Sequence, residues 1–306
     1  MRIAAPVRSP HEVDSLIDAG ATELYCGLSS PAWERRYGAV ASSNRRYFEE
    51  SSVPHIYMLR EIIARASRRN VPVHLALNAP YVTEPQIPLL VKMAQQAVNA
   101  GARGIIIGDI ALLLHLRRRG PASKLIMSTV GATFNRKTAD FYRQLGISRI
   151  ILPRHLTLTE MLAVTRTPLE YEALALFDYC INDDGFCTFH HGLEDMLGYE
   201  HACQLVNKYR IMGETDPDKA RIADGRMREA RFDPFCAACF LPEFEKMGIT
   251  TIKMAGRNMP LTLRTTGIQF LAKAMAARNR EHVQNLRQET FGKACHGNCN
   301  AYGAVP

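Results

Sequence analysis

Four cysteines set the first chemical question. Cys180 and Cys187 are separated by six residues in Cys180-Ile-Asn-Asp-Asp-Gly-Phe-Cys187, Cys203 follows within the same irregular segment, and Cys236 opens the next helical pattern. Thiolates gathered from a loop and a helix start are a common way to hold an iron–sulfur cluster. A four-thiolate zinc site uses the same donors, and unliganded cysteines are among the most buried residues of ordinary cores. Spacing alone leaves all three readings open. Cys239, three residues past Cys236, is a competing fourth ligand, and Cys295 and Cys299 form a further pair near the C-terminus.

Something must carry these thiols, and the hydrophobic pattern describes it. Short apolar runs alternate eight times with helical patterns. The strand candidates are residues 2–7, 23–28, 72–78, 104–109, 124–130, 149–154, 170–177 and 250–255. Helical segments are expected near 11–19, 55–69, 84–99, 110–118, 136–145, 157–164, 236–247 and 261–277. Glycines 20, 101, 120, 146 and 248 follow helices as expected C-caps. Asp18-Ala-Gly-Ala, Asn99-Ala-Gly-Ala, Gln144-Leu-Gly-Ile and Lys246-Met-Gly-Ile recur at the helix-to-strand joints, one βα unit used repeatedly. Eight such units predict an α/β fold of the TIM-type (β/α)8 barrel class, with a doubly wound open sheet as the alternative. The barrel domain spans 1–280, interrupted by a 178–235 insertion after the seventh strand, and 281–306 reads as a tail. A loop of that length inside a compact domain calls for an organiser other than secondary structure, such as a metal site.

A barrel places function at the C-terminal ends of its strands. Alternation along Val73-His-Leu-Ala-Leu-Asn78 turns His74, Ala76 and Asn78 inward, and along Thr250–Ala255 it turns Lys253 inward. A lysine inside a barrel is costly to bury without an anionic partner, which marks Lys253 for anion binding or catalysis, or for an internal ion pair. Asp109, Ser128, Arg154 and Asp178 sit at or just past strand ends, where caps and site residues both occur. His190 and His191, in the cysteine loop, are candidates for proton transfer. Cys26, at the end of the second strand, reads as structural.

Composition limits the partners. With 306 residues, 47% hydrophobic and 22% charged, the chain is expected to be a soluble globular protein. It has no apolar run of membrane-spanning length and no signal-peptide pattern at its start, so a cytoplasmic location is expected. There, eight cysteines are metal ligands or catalytic groups more often than disulfides. The formal charge of +8 favours anionic partners, a carboxylate or phosphate metabolite, an acidic protein or RNA. Arg35-Arg36, Arg45-Arg46, Arg65-Arg68-Arg69 and Arg117-Arg118-Arg119 supply much of that charge, without an aromatic-interleaved recognition motif.

Across nearly its whole length the chain resembles the peptidase U32-like proteins. Cys180-x6-Cys187 matches that family's cysteine pair after a barrel strand, Cys203 its third cysteine, and Cys236 the fourth, preceding Leu241-Pro-Glu-Phe244. Lys253-Met-Ala-Gly-Arg257 resembles the family's Lys-Ile-Glu-Gly-Arg, and Ile151–Met161 its pattern after the sixth strand. His155 and Ala255 depart from it, each standing where the family often has Glu. The resemblance implies a 4Fe-4S cluster on Cys180, Cys187, Cys203 and Cys236. It also implies oxygen-independent hydroxylation of an aromatic small molecule or an RNA base, with prephenate as the oxygen donor. On that reading Lys253, His190 and Asp178 form the catalytic set, while Asn78, Arg154 and Arg257 bind the substrate. Members of this length resemble the ubiquinone-pathway proteins, which implies a hetero-oligomer with a related U32 protein. Other members carry the name peptidase; the sequence holds neither a His-Glu-x-x-His helix nor a Gly-x-Ser-x-Gly elbow. A cluster-bearing subunit without catalysis of its own is the remaining alternative.

Overall fold

The structure is a computed structural model, describing residues 1–38, 41–45, 52–177, 184–186, 235–277 and 279–292. Nine strands are described: β1 (Arg2–Pro6), β2 (Glu23–Leu28), β3 (Ser52–Val53), β4 (Val73–Leu77), β5 (Gly104–Ile107), β6 (Lys124–Met127), β7 (Arg149–Ile151), β8 (Glu170–Leu176) and β9 (Thr251–Met254). All pair in parallel, in the order β1-β9-β8-β7-β6-β5-β4-β2, and β1 also pairs with β2. That last pairing closes the ring, so eight strands form a (β/α)8 barrel. The short β3 lies outside it, against the C-terminal end of β2 through Gly27↔Ser52 and Leu28↔Val53.

The helices are α1 (Val13–Asp18), α2 (Pro31–Tyr37), α3 (Ile56–Arg68), α4 (Ile87–Asn99), α5 (Ile110–Arg119), α6 (Arg136–Gln144), α7 (Leu158–Val164), α8 (Leu241–Lys246), α9 (Leu261–Ala276) and α10 (Arg280–Phe291). Their starts are built by short polar side chains. Asp109 accepts the Leu112 N–H at 2.9 Å, Asn135 that of Thr138 at 3.0 Å, and Asn279 that of His282 at 2.8 Å. Asp109, a strand-end candidate in the sequence, is thus the N-cap of α5; its second oxygen also accepts the Val82 N–H. The helix-ending glycines Gly20, Gly101, Gly146 and Gly248 have positive φ, whereas Gly120 is extended at φ −83°. The two-residue β3 was not expected, being too short to show alternation. Nor was α2 expected, seven residues being too few to show a period; in the structure Ser30 caps it by accepting the Trp33 N–H.

Two apolar layers follow from period-2 alternation. Leu24, Cys26, Leu75, Leu77, Ile105, Ile107 and Met127 point outward and pack under the helices. Tyr25, Ala76, Ile106, Ile126 and Ile151 point inward and form a separate cluster across the barrel axis. Cys26 is fully buried in the outer layer, and burial pushes its thiol pKa up to about 12, as expected for a structural cysteine.

Below the inward cluster, at the N-terminal end, the barrel is filled with charge. Arg149, 1% exposed, donates to both oxygens of Glu23 at 2.6 and 2.9 Å, and to Glu172 and Glu170. Arg2 bridges Glu23 at 2.9 Å and Glu170 at 2.8 Å, and Lys124 reaches Glu170. His74 turns inward as alternation predicts, its Nε2 3.4 Å from Glu23. Burial opposes ionisation of Glu23, yet His74 and Arg149 together hold its carboxyl well below the usual range. Glu170 is held near 2, burial being outweighed by Lys124, Arg2 and Arg149.

Arg149→Met removes the cation shared by Glu23, Glu170 and Glu172 and leaves each of these carboxylates one partner short. It is expected to lower unfolding free energy by about 3–5 kcal/mol in urea titrations. The pH dependence has a definite sign. A carboxyl whose pKa is depressed on folding stabilises the fold above its unfolded value, near 4.3, and loses that contribution as pH falls through its folded value. Stability should therefore drop between roughly pH 5 and 2, and the drop should be shallower in Glu170→Gln.

Candidate functional site

At the opposite, C-terminal end the strands surround a pocket of about 540 Å³, open mouth included. Ala76, Ile106, Ile151 and Leu174 make an apolar floor, and Tyr25 and Lys253 stand beside it. Above them Asn78, Ser128, Thr129 and the cations Arg45 and Arg257 form a polar rim. An apolar base with a few convergent polar groups is the usual make-up of a small-molecule site.

Lys253 takes its inward position from β9 alternation. Its ammonium lies 2.8 Å from Glu172 Oε1 and 3.6 Å above the Tyr25 ring. The Tyr25 hydroxyl donates to the Met254 carbonyl at 2.9 Å, which fixes the ring under the lysine. Glu172 also accepts from Arg149 at 3.2 Å, so Lys253 is the upper end of the charge chain that fills the barrel below. Both readings of this residue hold together: it is an internal ion-pair partner and it faces the pocket.

Asn78, following β4, donates to Ser128 Oγ at 2.9 Å and accepts the Arg45 N–H at 3.3 Å. Arg257 follows the positive-φ Gly256 and donates to Asn44 Oδ1 at 2.8 Å. Asn44 in turn donates to Ser52 Oγ at 3.1 Å on β3. This cradle depends on Gly27: a Cβ there would lie 2.4 Å from Arg257 Nη1 and 2.8 Å from Asn44 Nδ2. The short third strand and the missing side chain on the second thus exist at the same place, where Arg257 must approach the barrel wall.

The structure brings Asn78, Lys253 and Arg257 to one pocket, and puts Arg154 elsewhere. Arg154 is 2% exposed and lies against Asp184, with Nε 3.1 Å from Oδ2. It is absent from the pocket lining, and the guanidinium that joins Lys253 and Arg257 there is Arg45. Arg45 donates to Thr129 Oγ1 at 3.0 Å and Asp184 Oδ1 at 2.9 Å. Nothing periodic flags Arg45, which stands in the loop after α2 beside Arg46. His155 lies at the same cluster, its Nδ1 4.0 Å from Asp184. Ala255 lines the pocket with a methyl group.

Of the cysteine set, Cys236 is described. The end of β8 and the returning chain are stitched together: the Phe177 N–H donates to Phe235 O at 2.9 Å and the Ala237 N–H to Ala175 O at 2.8 Å. An antiparallel bridge sets Cys236 opposite Leu176, at the mouth end of the strand, where it is buried. Cys239 is buried in the turn leading into α8. Cys180, Cys187, Cys203, Asp178, His190, His191, Cys295 and Cys299 lie outside the described residues. Among the described residues no helix is long and apolar enough to cross a membrane.

Comparison with known proteins gives the same frame. The sequence model of peptidase family U32 matches residues 8–300. The U32 peptidase Mk0906 superposes with a TM-score of 0.51 at 14% identity, covering 84% of this chain and 93% of its own. A dihydrodipicolinate synthase superposes with a TM-score of 0.52 at 8% identity, covering 95% and 81%. At these identities the structural likenesses show the fold alone.

Gly27→Ala tests the cradle. The added methyl must displace Arg257 or Asn44, with an expected loss of about 1–3 kcal/mol in urea unfolding. A stability within about 0.5 kcal/mol of the parent would mean that the cradle gives way freely.

Proposed function

Because the chain belongs to peptidase family U32, we propose that it is an iron–sulfur enzyme that hydroxylates an aromatic ring without molecular oxygen. The observation that carries this reading is the pocket itself, an apolar floor beneath Arg45, Lys253 and Arg257 at the C-terminal mouth of the barrel. A flat ring suits the floor of Ala76, Ile106 and Ile151, and a carboxylate suits the rim. Arginine offers the paired donors that a carboxylate accepts, and lysine a compact charge. A dicarboxylate such as prephenate is the proposed oxygen donor, held by Arg257, Lys253 and Arg45; Arg154 supports the rim from behind, through Asp184.

The proposed 4Fe-4S ligands are Cys180, Cys187, Cys203 and Cys236. Cys236 fits on chemistry and place: a buried thiol on the returning chain, bridged to the mouth end of β8, the strand next to that of Lys253. When bound, the cluster would supply one-electron redox capacity, with a potential set by burial and hydrogen bonds to sulfur. The chain's own residues bind and orient the reactants. Asn78 and Ser128 offer a hydrogen-bonding edge to a ring hydroxyl, Lys253 holds negative charge as it develops, and the floor excludes water from the ring face. Asp178 and His190 are the proposed proton carriers.

The apolar floor beneath a cationic rim favours a small aromatic substrate; an RNA base would have to be turned out of its stack to enter. A related U32 subunit is the proposed partner, and the cytoplasm the proposed location. The family name keeps peptidase chemistry as a second reading, and the rim argues against it. Ser128 accepts from the Asn78 amide and Thr129 from the Arg45 guanidinium, and neither group can take a proton from a nucleophile.

Anaerobic purification with iron, sulfide and electron paramagnetic resonance analysis tests the cluster. About four irons and four sulfides per chain are expected, lost in Cys180→Ala and Cys236→Ala. Stoichiometric zinc without sulfide would overturn the redox reading and leave a structural thiolate site. Lys253→Ala is expected to keep the cluster and lose turnover; an unaffected reaction would point to a non-catalytic cluster subunit.

A further inference from the structure

The segment Asp184-Gly185-Phe186 carries three independent fastenings to the barrel rim. Asp184 is completely buried. Its Oδ2 accepts the Arg154 backbone N–H at 3.0 Å and the Arg154 Nε–H at 3.1 Å; its Oδ1 accepts from Arg154 Nη2 and, at 2.9 Å, from Arg45 Nη1. Burial opposes the charge, but Arg154 and Arg45 hold the carboxyl well below the usual range. Gly185 has φ +90°, and a Cβ on it would lie 2.7 Å from the Val130 carbonyl and 2.9 Å from Ala132 Cβ. Its backbone is therefore pressed against the turn after β6, where Ala132 is itself left-handed at φ 51°. Phe186 stacks on Phe134 beyond that turn, ring centroids 5.9 Å apart, with 64% of the residue exposed.

A buried carboxylate with four donors, a glycine no other residue replaces and an aromatic stack all grip the same rim within three consecutive residues. Cys187 is the next residue in the chain and Cys180 lies four before Asp184. We infer that Asp184-Gly185-Phe186 is a buckle that fastens the cysteine insertion to the barrel mouth, with Asp184 a positioning residue for the Cys180–Cys187 pair and, through Arg45, for the pocket. The part concerning the thiols rests on the proposed cluster; the fastening does not. Geometry gives the buckle a reason to be there. A ligand set drawn from an insertion and from the barrel's own β8 edge assembles only if the insertion is held at a fixed place on that barrel. Arg45 belongs to both parts, since the same guanidinium lines the pocket and binds Asp184. A change of grip at Asp184 is thereby transmitted to the rim cation that faces the ligand.

Two substitutions separate the buckle from general stability. Asp184→Asn keeps the shape and removes the charge. Phe186→Ala trims an exposed ring and leaves the barrel core untouched. Hydrogen exchange of the metal-free protein reads the fastening directly. Both variants are expected to exchange about tenfold faster at 184–186, at the Arg154 amide and across 129–134, with β4 and β5 unchanged. After anaerobic reconstitution, iron and sulfide per chain are expected to fall below about half the parent value, with an altered paramagnetic signature. Parent-like exchange in both variants overturns the buckle. Faster exchange with parent-like cluster content and signature overturns the positioning role. A parent chain that takes up no iron and sulfide defeats the cluster reading instead, while the exchange data still decide the fastening.

Discussion

Arg149 is the residue on which the barrel turns. A closed eight-strand ring must fill its interior, and this chain fills the lower half with ions instead of branched side chains. Such ions cost several kcal/mol each to desolvate and are tolerated only as a complete set. The carboxylates of Glu23, Glu170 and Glu172 are shared among Arg2, Lys124, Arg149 and Lys253, and Arg149 touches all three. Through these contacts β1, β2, β6, β7, β8 and β9 are tied by charge as well as by their ladders. The set is directional. It begins at the half-exposed pair Arg2 and Glu170 and ends at Lys253, so the placement of the pocket's ammonium follows from the way the far end of the barrel is neutralised.

Between the ionic half and the mouth lies the thin layer of Tyr25, Ala76, Ile106, Ile126 and Ile151. It has two duties. It seals the charges from the pocket, keeping their dielectric low and their pairing tight, and it gives the pocket an apolar floor. Lys253 crosses the layer beside Tyr25, whose ring face supports the ammonium on its way up. The mouth can then be specialised by loops without disturbing what lies beneath. Arg45 arrives on the loop after α2, Arg257 on the turn after β9, and Asn78 directly from the end of β4.

Much of this was legible in sequence wherever a period was long enough to show. Alternation of two placed His74 and Lys253 inside the barrel, and the repeated helix–glycine–strand joints gave eight units, because both signals are local. Alternation marked Asn78 and Lys253, the family resemblance marked Arg257, and the fold brings all three to one pocket. What escaped notice depends on pairing over distance. Arg45 meets Asp184 across 139 positions, and Arg264, fully buried, meets Glu12 across 252. No window of sequence contains either pair. Arg154 shows the converse. It follows a strand as site residues do, but its guanidinium turns to a carboxylate carried by the insertion, a partner that periodicity does not reveal.

The exit from β8 shows how the chain accommodates so long an excursion. Register with β9 shifts between Leu174 and Leu176, and Phe177 then leaves the strand in the left-handed region at φ 66°. For a non-glycine residue that conformation costs on the order of 1–3 kcal/mol and persists only where surroundings enforce it. Here they do. The Phe177 ring packs edge-on against Phe291 of α10, centroids 5.7 Å apart, and a Cβ on Gly267 of α9 would lie 2.5 Å from it. The stretch beyond residue 280, which shows no strand or barrel signal in sequence, thus supplies a wall for the residue that launches the insertion. Loop-closure entropy grows only logarithmically with length, so an excursion is governed less by its size than by its ends. Both ends are fixed at one place, with Phe177 N–H on Phe235 O and Cys236 opposite Leu176. The chain therefore leaves the barrel and rejoins it at one edge of the mouth, beside the strand that carries Lys253.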